Sequence, residues 1–189
     1  MKFRFYAIKL SVIIIIIFIL QKLVQGFTDL FILNASLVLI RPYTLLTSIF
    51  LHSNIGHLLY NLFALALFGS ILEKLIGYKK FLLIFFLAGL LASFTSIFFY
   101  NAVLGASGAI FGILGTLTYL KPKMVVWVFN MPMPMFVAAI IWALLDIIGV
   151  FSPNTGIANL AHLTGLFVGL IFGYYISKEE KQKIIAEVH

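Results

Sequence analysis

Apolar residues in this chain gather in long runs separated by short polar breaks. Neither the alternation of a half-buried strand nor the narrow stripe of a soluble amphipathic helix dominates. The first run follows Lys2, Arg4 and Lys9 and centres on Ile13–Leu20. It predicts a helix over about 7–25, and because no small-residue cleavage site follows and more runs come after, it reads as a retained membrane helix. Further runs predict helices over about 53–72, 81–100, 105–120, 134–151 and 158–177. Ser53 or Asn54 can cap the second, while Lys121-Pro122-Lys123 and the Pro132/Pro134 pair interrupt the pattern between the fourth and fifth. Leu30–Ile40 is apolar but only 11 residues long, and Arg41-Pro42 closes it. Crossing a bilayer takes about 20 residues, so this segment is expected to lie in the interface or to dip in and return.

Composition turns these runs into membrane spans. Of 189 residues, 63% are hydrophobic and 10% charged, with a mean hydropathy of +1.15. A soluble domain needs a charged surface, so the chain belongs in lipid. The expectation is an all-α membrane protein, one domain over residues 1–189, with six transmembrane helices and a membrane-dipping first outer loop. The absence of cysteine excludes disulfides, thiolate metal sites and a cysteine nucleophile. A net charge of +7 raises nucleic acid as a partner, but the basic residues occupy short connections where they set orientation. Six spans with the N-terminus inside place Lys2, Arg4, Lys9, Lys74, Lys79, Lys80, Lys121, Lys123, Lys178, Lys181 and Lys183 on the inner side, leaving only Lys22 and Arg41 outside. A seventh span at Leu30–Ile40 would send Lys74, Lys79 and Lys80 outward and spoil that bias. The expected setting is the plasma membrane of a prokaryote, with both termini cytoplasmic.

Polar side chains at membrane depth are costly, and each is a functional candidate. Here they converge. Ser107, in Gly105-Ala106-Ser107-Gly108, starts the fourth helix, and His162, in Ala161-His162-Leu163-Thr164-Gly165, lies near the start of the sixth. His57 and Asn61 share a face of the second. All four sit about one to two turns below the outer surface. A serine hydroxyl becomes nucleophilic when a neighbouring base takes its proton, a task suited to histidine. The resulting oxyanion needs fixed donors, which the Asn61 amide, the His57 ring and the Ser107 N–H could supply. Gly108 and Gly112 on the fourth helix, and Ala161, Gly165, Gly169 and Gly173 on the sixth, form small-residue stripes that let backbones approach closely. Phe111, one turn below Ser107, could pack on the His162 ring.

Other polar residues read less sharply. His52 lies off the face of His57 and suggests loop structure. A zinc site from His52, His57 and His162 lacks both the H-E-x-x-H pattern and a placed carboxylate. Asp146, near the outer end of the fifth helix, could orient His162 or could cap or pair locally. Glu73 and Lys74 read as the cytoplasmic end of the second helix, and Arg41 as an anchor of the outer loop to headgroups or carbonyls.

With these residues in hand, the chain resembles the rhomboid family along nearly its whole length. Gly105-Ala106-Ser107-Gly108 matches the G-x-S-G nucleophile motif, and Ala161–Gly169 matches A-H-x-x-G-x-x-x-G. His52, His57 and Asn61 match H-x-x-x-x-H-x-x-x-N. The resemblance implies a six-helix bundle with its serine in a water-accessible cavity opening to the outer face. It implies a Ser107–His162 dyad without an aspartate, an oxyanion hole from His57 and Asn61 supported at Gly105, and no cofactor. Substrates would be single-span membrane proteins cut near the outer end of an easily unwound helix. Two positions depart from the pattern: Ile40 stands where tryptophan often precedes the loop arginine, and Phe111 stands where tyrosine is common.

Two rivals remain on this reading. One is a catalytically silent relative that binds membrane proteins, but such relatives lose the serine or histidine and this chain keeps both. The other is a small proton or ammonium transporter, for which paired broken helices in an internal repeat would be expected and are not seen.

Overall fold

The computed structural model describes residues 4–152 and 157–188. Lys2, counted above on the inner side, lies outside them. Among the described residues, six long helical segments carry the apolar runs. Helix α1 spans Tyr6–Leu23. The second segment, Ile55–Ile76, is α4 (Ile55–Ala64), a π turn (Leu65–Gly69) and α5 (Ser70–Ile76) in sequence. Then follow α6 (Tyr78–Ser96), α7 (Ser107–Leu120), α8 (Met135–Val150) and α9 (Asn159–Val188). Four of the six are long and apolar enough to cross a membrane: Tyr6–Leu23, Ile55–Ile76, Tyr78–Ser96 and Asn159–Glu179. Helices α7 and α8 are apolar but shorter.

Local chemistry sets the ends. The Asn54 side chain accepts from the His57 N–H at 2.9 Å, capping α4. Gly77, at φ 82°, breaks the chain between α5 and α6 in a conformation that side-chain-bearing residues avoid. That turn starts α6 a few residues before the expected position. Helix α9 runs well past the expected 177, because its charged C-terminal turns continue beyond the apolar stretch.

Helix α7 is the centre of the bundle, with its side chains from Gly108 to Leu117 buried except Phe111. It packs on α6 and α9, and these on each other. Glycine makes that approach possible: a Cβ built at Gly165 would lie 2.0 Å from the Gly108 carbonyl oxygen, and one at Gly169 2.0 Å from that of Gly112. The Thr116 hydroxyl, donating within α7 to Gly112 at 2.9 Å, also lies 3.0 Å from the Gly169 carbonyl.

Glu73 lies in the last turns of the second segment, where the sequence placed it, and there it is buried: it is 1% exposed, and its carboxylate accepts the Arg4 N–H at 3.0 Å and the Ala7 N–H at 3.1 Å. It thereby satisfies donors that the start of α1 cannot satisfy within the helix. Opposite charge at a helix N-terminus adds to this.

The segment from Gly26 to Leu51 forms short turns, including α2 (Phe27–Phe31) and α3 (Thr44–Thr47). Two residues, β1 (Leu33–Asn34), pair antiparallel with β2 (Ala102–Val103) just ahead of α7. Arg41 Nη1 lies 3.2 Å from the Asp29 carbonyl, and the Tyr43 hydroxyl donates to that of Leu30 at 3.2 Å, so the loop is tied to itself. Between α7 and α8 the expected break is a β-hairpin, β3 (Val125–Val128) and β4 (Met131–Pro134).

Candidate active site

Ser107 is the first residue of α7. The first hydrogen bond of that helix joins the Ile110 N–H to the Ala106 carbonyl at 3.0 Å. The N–H groups of Ser107, Gly108 and Ala109 therefore have no acceptor within the helix, and the positive end of the helix faces the serine. The preceding Gly105 is held by its N–H on the Ser48 carbonyl at 2.9 Å. Its φ is +127°, and a Cβ there would lie 2.7 Å from the His57 ring. Any side chain at 105 would push His57 away from the serine's segment.

The Ser107 hydroxyl lies 2.8 Å from His162 Nε2. The His162 ring is stacked on Phe111, centroids 4.3 Å apart and planes within 5°, and Phe111 meets Trp142 of α8 edge-on at 6.4 Å. Thr95 and Thr164 hydroxyls, 3.0 Å apart, link α6 to α9 two residues from the histidine, and the Tyr100 hydroxyl accepts the Leu160 N–H at 3.1 Å at the start of α9. Beside Ser107 a cavity of about 10 Å³, room for one water, is lined by Ser48, Ala92, Ser93, Leu104, Gly105 and Ala161 among others.

Of the two readings the sequence left open for Asp146, the structure takes the one in which it meets His162, and it departs from the dyad that the resemblance implies. Its Oδ1 lies 2.9 Å from His162 Nδ1, on the opposite side of the ring from the serine. The order Ser107, His162, Asp146 is thus continuous.

His57 Nδ1 lies 3.1 Å from the Ser53 hydroxyl, leaving the other edge of the ring toward Gly105. Asn61 is buried one turn below, and its amide donates to the His57 carbonyl at 2.8 Å. The structure therefore brings His57 to the serine's segment, while one Asn61 donor is engaged within its own helix. His52 is buried, its ring edge-on to His57 at 4.9 Å. Its backbone N–H and carbonyl are both held by the Gln21 side chain, at 3.0 and 3.3 Å. Both ring nitrogens lack a hydrogen-bond partner among the described residues. Burial, with the neighbouring His57 charge, pushes the His52 imidazole down to about 4. Among the described residues no three His, Asp or Glu side chains converge as a metal site. Arg41 stays with the loop.

Residues 40–179 match the family model described as the Rhomboid domain. The chain belongs to the rhomboid family. This rhomboid is 31% identical over 154 residues to "Rhomboid protein 1, mitochondrial" of Saccharomyces cerevisiae, covering 74% of the chain and 44% of that protein. It is 30% identical over 131 residues to "Rhomboid protease GlpG" of Haemophilus influenzae, with 68% of the chain and 66% of the relative covered. It is likewise 30% identical over 145 residues to "Putative rhomboid protease YdcA" of Bacillus subtilis, at 74% and 70% coverage. The chain thus spans under half of the yeast relative and just under two thirds of the Haemophilus one. Family and apolar helices together make the rhomboid an integral membrane protein.

Proposed function

We propose that this protein is an intramembrane serine endopeptidase that cuts single-span membrane proteins near the outer face. The observation that carries the reading is the 2.8 Å contact between the Ser107 hydroxyl and His162 Nε2, at the head of a buried helix. In this reading the six helices all span, the termini are cytoplasmic, and the loop before α4 dips into the outer leaflet.

Water and a locally unwound substrate segment reach the serine from outside. The Ser107 oxygen attacks the peptide carbonyl while Nε2 of His162 takes its proton. The negative charge on the former carbonyl oxygen meets the Ser107 N–H, left free by the helix geometry, with the His57 ring and the Asn61 amide as further donors. His162 then passes its proton to the leaving amine, and an ester joins substrate to Ser107. A water, deprotonated by the same nitrogen, attacks the ester and releases the carboxylate product. No step calls for a cofactor.

The test is labelling of the purified protein by a fluorescent fluorophosphonate. Wild type should be labelled, and Ser107→Ala and His162→Ala should each abolish labelling and proteolysis. Undiminished cleavage by Ser107→Ala would sink the proposal.

A further inference from the structure

We propose that Asp146 is a positioning residue that makes this site a Ser–His–Asp array in place of a bare dyad; the inference rests on the protease reading above. To accept the serine proton, His162 must present an unprotonated Nε2, so its single ring hydrogen must sit on Nδ1. Asp146 Oδ1, 2.9 Å from Nδ1, is the acceptor that favours that tautomer, and it faces the imidazolium formed when the serine proton arrives. Both side chains are largely withdrawn from solvent, Asp146 at 8% and His162 at 14% exposure, which strengthens the interaction. Asp146 makes no other side-chain hydrogen bond among the described residues: its Oδ2 is buried and unpartnered. A buried carboxylate is costly, and among the described residues the histidine is the one group it serves. Trp142, one turn earlier on α8, backs the Phe111 ring that stacks on His162. One face of α8 thus supports the imidazole at its nitrogen and, through Phe111, at its plane.

Two measurements test this. In protein carrying nitrogen-15 histidine, the His162 signals, identified by their loss in His162→Ala, should report hydrogen on Nδ1 in wild type. They should show a mixed or reversed tautomer in Asp146→Asn. The second-order rate of fluorophosphonate labelling of Ser107 should fall about 10²–10⁴-fold in Asp146→Asn, with the thermal transition unmoved. Hydrogen on Nε2 in wild type, or labelling of Asp146→Asn within twofold of wild type, would overturn the role. The tautomer can be read whether or not the probe reacts, so failure of the protease reading, seen as unlabelled wild type, is separable from failure here.

A different observation carries a second inference. Hairpin β3–β4 turns through Phe129 and Asn130, both at positive φ (51° and 59°), the geometry of a tight two-residue hairpin turn. Val126 and Val128 face the bundle, while Val125, Trp127 (73% exposed), Phe129 (68%) and Met131 face outward. Exposed Lys121 and Lys123 precede this face. The helices it joins have 14 and 16 residues, about 21 and 24 Å, against a hydrocarbon core of about 30 Å. The hairpin therefore starts at or inside the boundary between acyl chains and headgroups. We infer that its outer face is an interfacial anchor, with Trp127 and Phe129 at the acyl boundary and Lys121 and Lys123 on anionic phospholipid headgroups. Trp142→Phe leaves Trp127 as the sole tryptophan. In phosphatidylcholine–phosphatidylglycerol vesicles its emission should be quenched by lipids brominated near the headgroup and shielded from aqueous acrylamide. Lys121→Gln with Lys123→Gln should remove the gain in quenching that phosphatidylglycerol gives. Quenching of Trp127 by acrylamide and not by brominated lipid would overturn the inference.

Discussion

Replacing Gly165 with alanine tests how closely catalysis depends on the contact between α7 and α9. The new Cβ would stand 2.0 Å from the Gly108 carbonyl oxygen and 3.2 Å from the Phe111 Cβ. Carbon–oxygen contacts close at about 3.3 Å, so one helix must retreat by about 1.3 Å. The obstacle is backbone, so no side-chain rotation relieves it. Gly165 lies three residues from His162 and Gly108 adjoins Ser107, so the retreat falls on the 2.8 Å Ser107–His162 contact. Lengthened by the same amount, that contact reaches about 4 Å, past the range of a hydrogen bond. Overpacking of this kind costs about 1–3 kcal/mol, enough to lower the melting temperature without preventing folding. The expected outcome in detergent is a folded protein whose fluorophosphonate labelling rate is down by about 10² or more, the contribution of a lost general base. Gly169→Ala meets the Gly112 oxygen at the same 2.0 Å and should behave alike. A Gly165→Ala protein labelled at the wild-type rate would refute the reasoning, because the two helices would then be shown to have slack.

Three further outcomes follow from other contacts. Asn61→Ala should reduce kcat by about 10²–10³ with little change in KM if the amide serves the oxyanion, as read by initial rates on a cleavable membrane substrate. Glu73→Gln keeps one acceptor where the carboxylate had two, leaving one of the Arg4 and Ala7 N–H groups unsatisfied. A loss of about 1–3 kcal/mol should appear as a lower melting temperature, with labelling of the folded fraction unchanged. His52 gives a pH signature: its folded value is lowered from 6.5 to about 4, so between those values the unfolded chain binds the proton and the folded protein does not. Stability should be level above pH 6.5 and fall as pH drops toward 4, a fall that His52→Phe should make shallower in a pH series of melting curves.

What could be read from residues alone followed the range over which each effect acts. Run length fixes a membrane helix locally, so the six apolar segments emerge with their ends within a few residues, except where the charged tail extends α9. Depth along a helix is also local arithmetic, which is why Ser107, His162 and His57 could be placed at one level. Rotation of one helix about its axis relative to another is not local. That left two readings open for Asp146, whose meeting with His162 depends on how α8 lies against α9, and hid the burial of Glu73, whose partners are 66 and 69 residues away. The hairpin was read only as a break, since Phe129-Asn130 lacks the glycine that usually marks such a turn and two prolines mask its alternation.

The π turn at Leu65–Gly69 has a consequence for how α4 and α5 share one axis. At about 100° per residue, the twelve steps from Asn61 to Glu73 would leave their side chains about 120° apart on an ideal α-helix. A π turn absorbs one extra residue, and the offset shrinks to about 20°. Asn61, at the catalytic level, and Glu73, at the start of α1, are accordingly both buried. The helix therefore carries one residue more than its phase requires. Removing any one of those five would give an unbroken α-helix of nearly the same length and phase, and leave both polar groups aimed at the partners they have now.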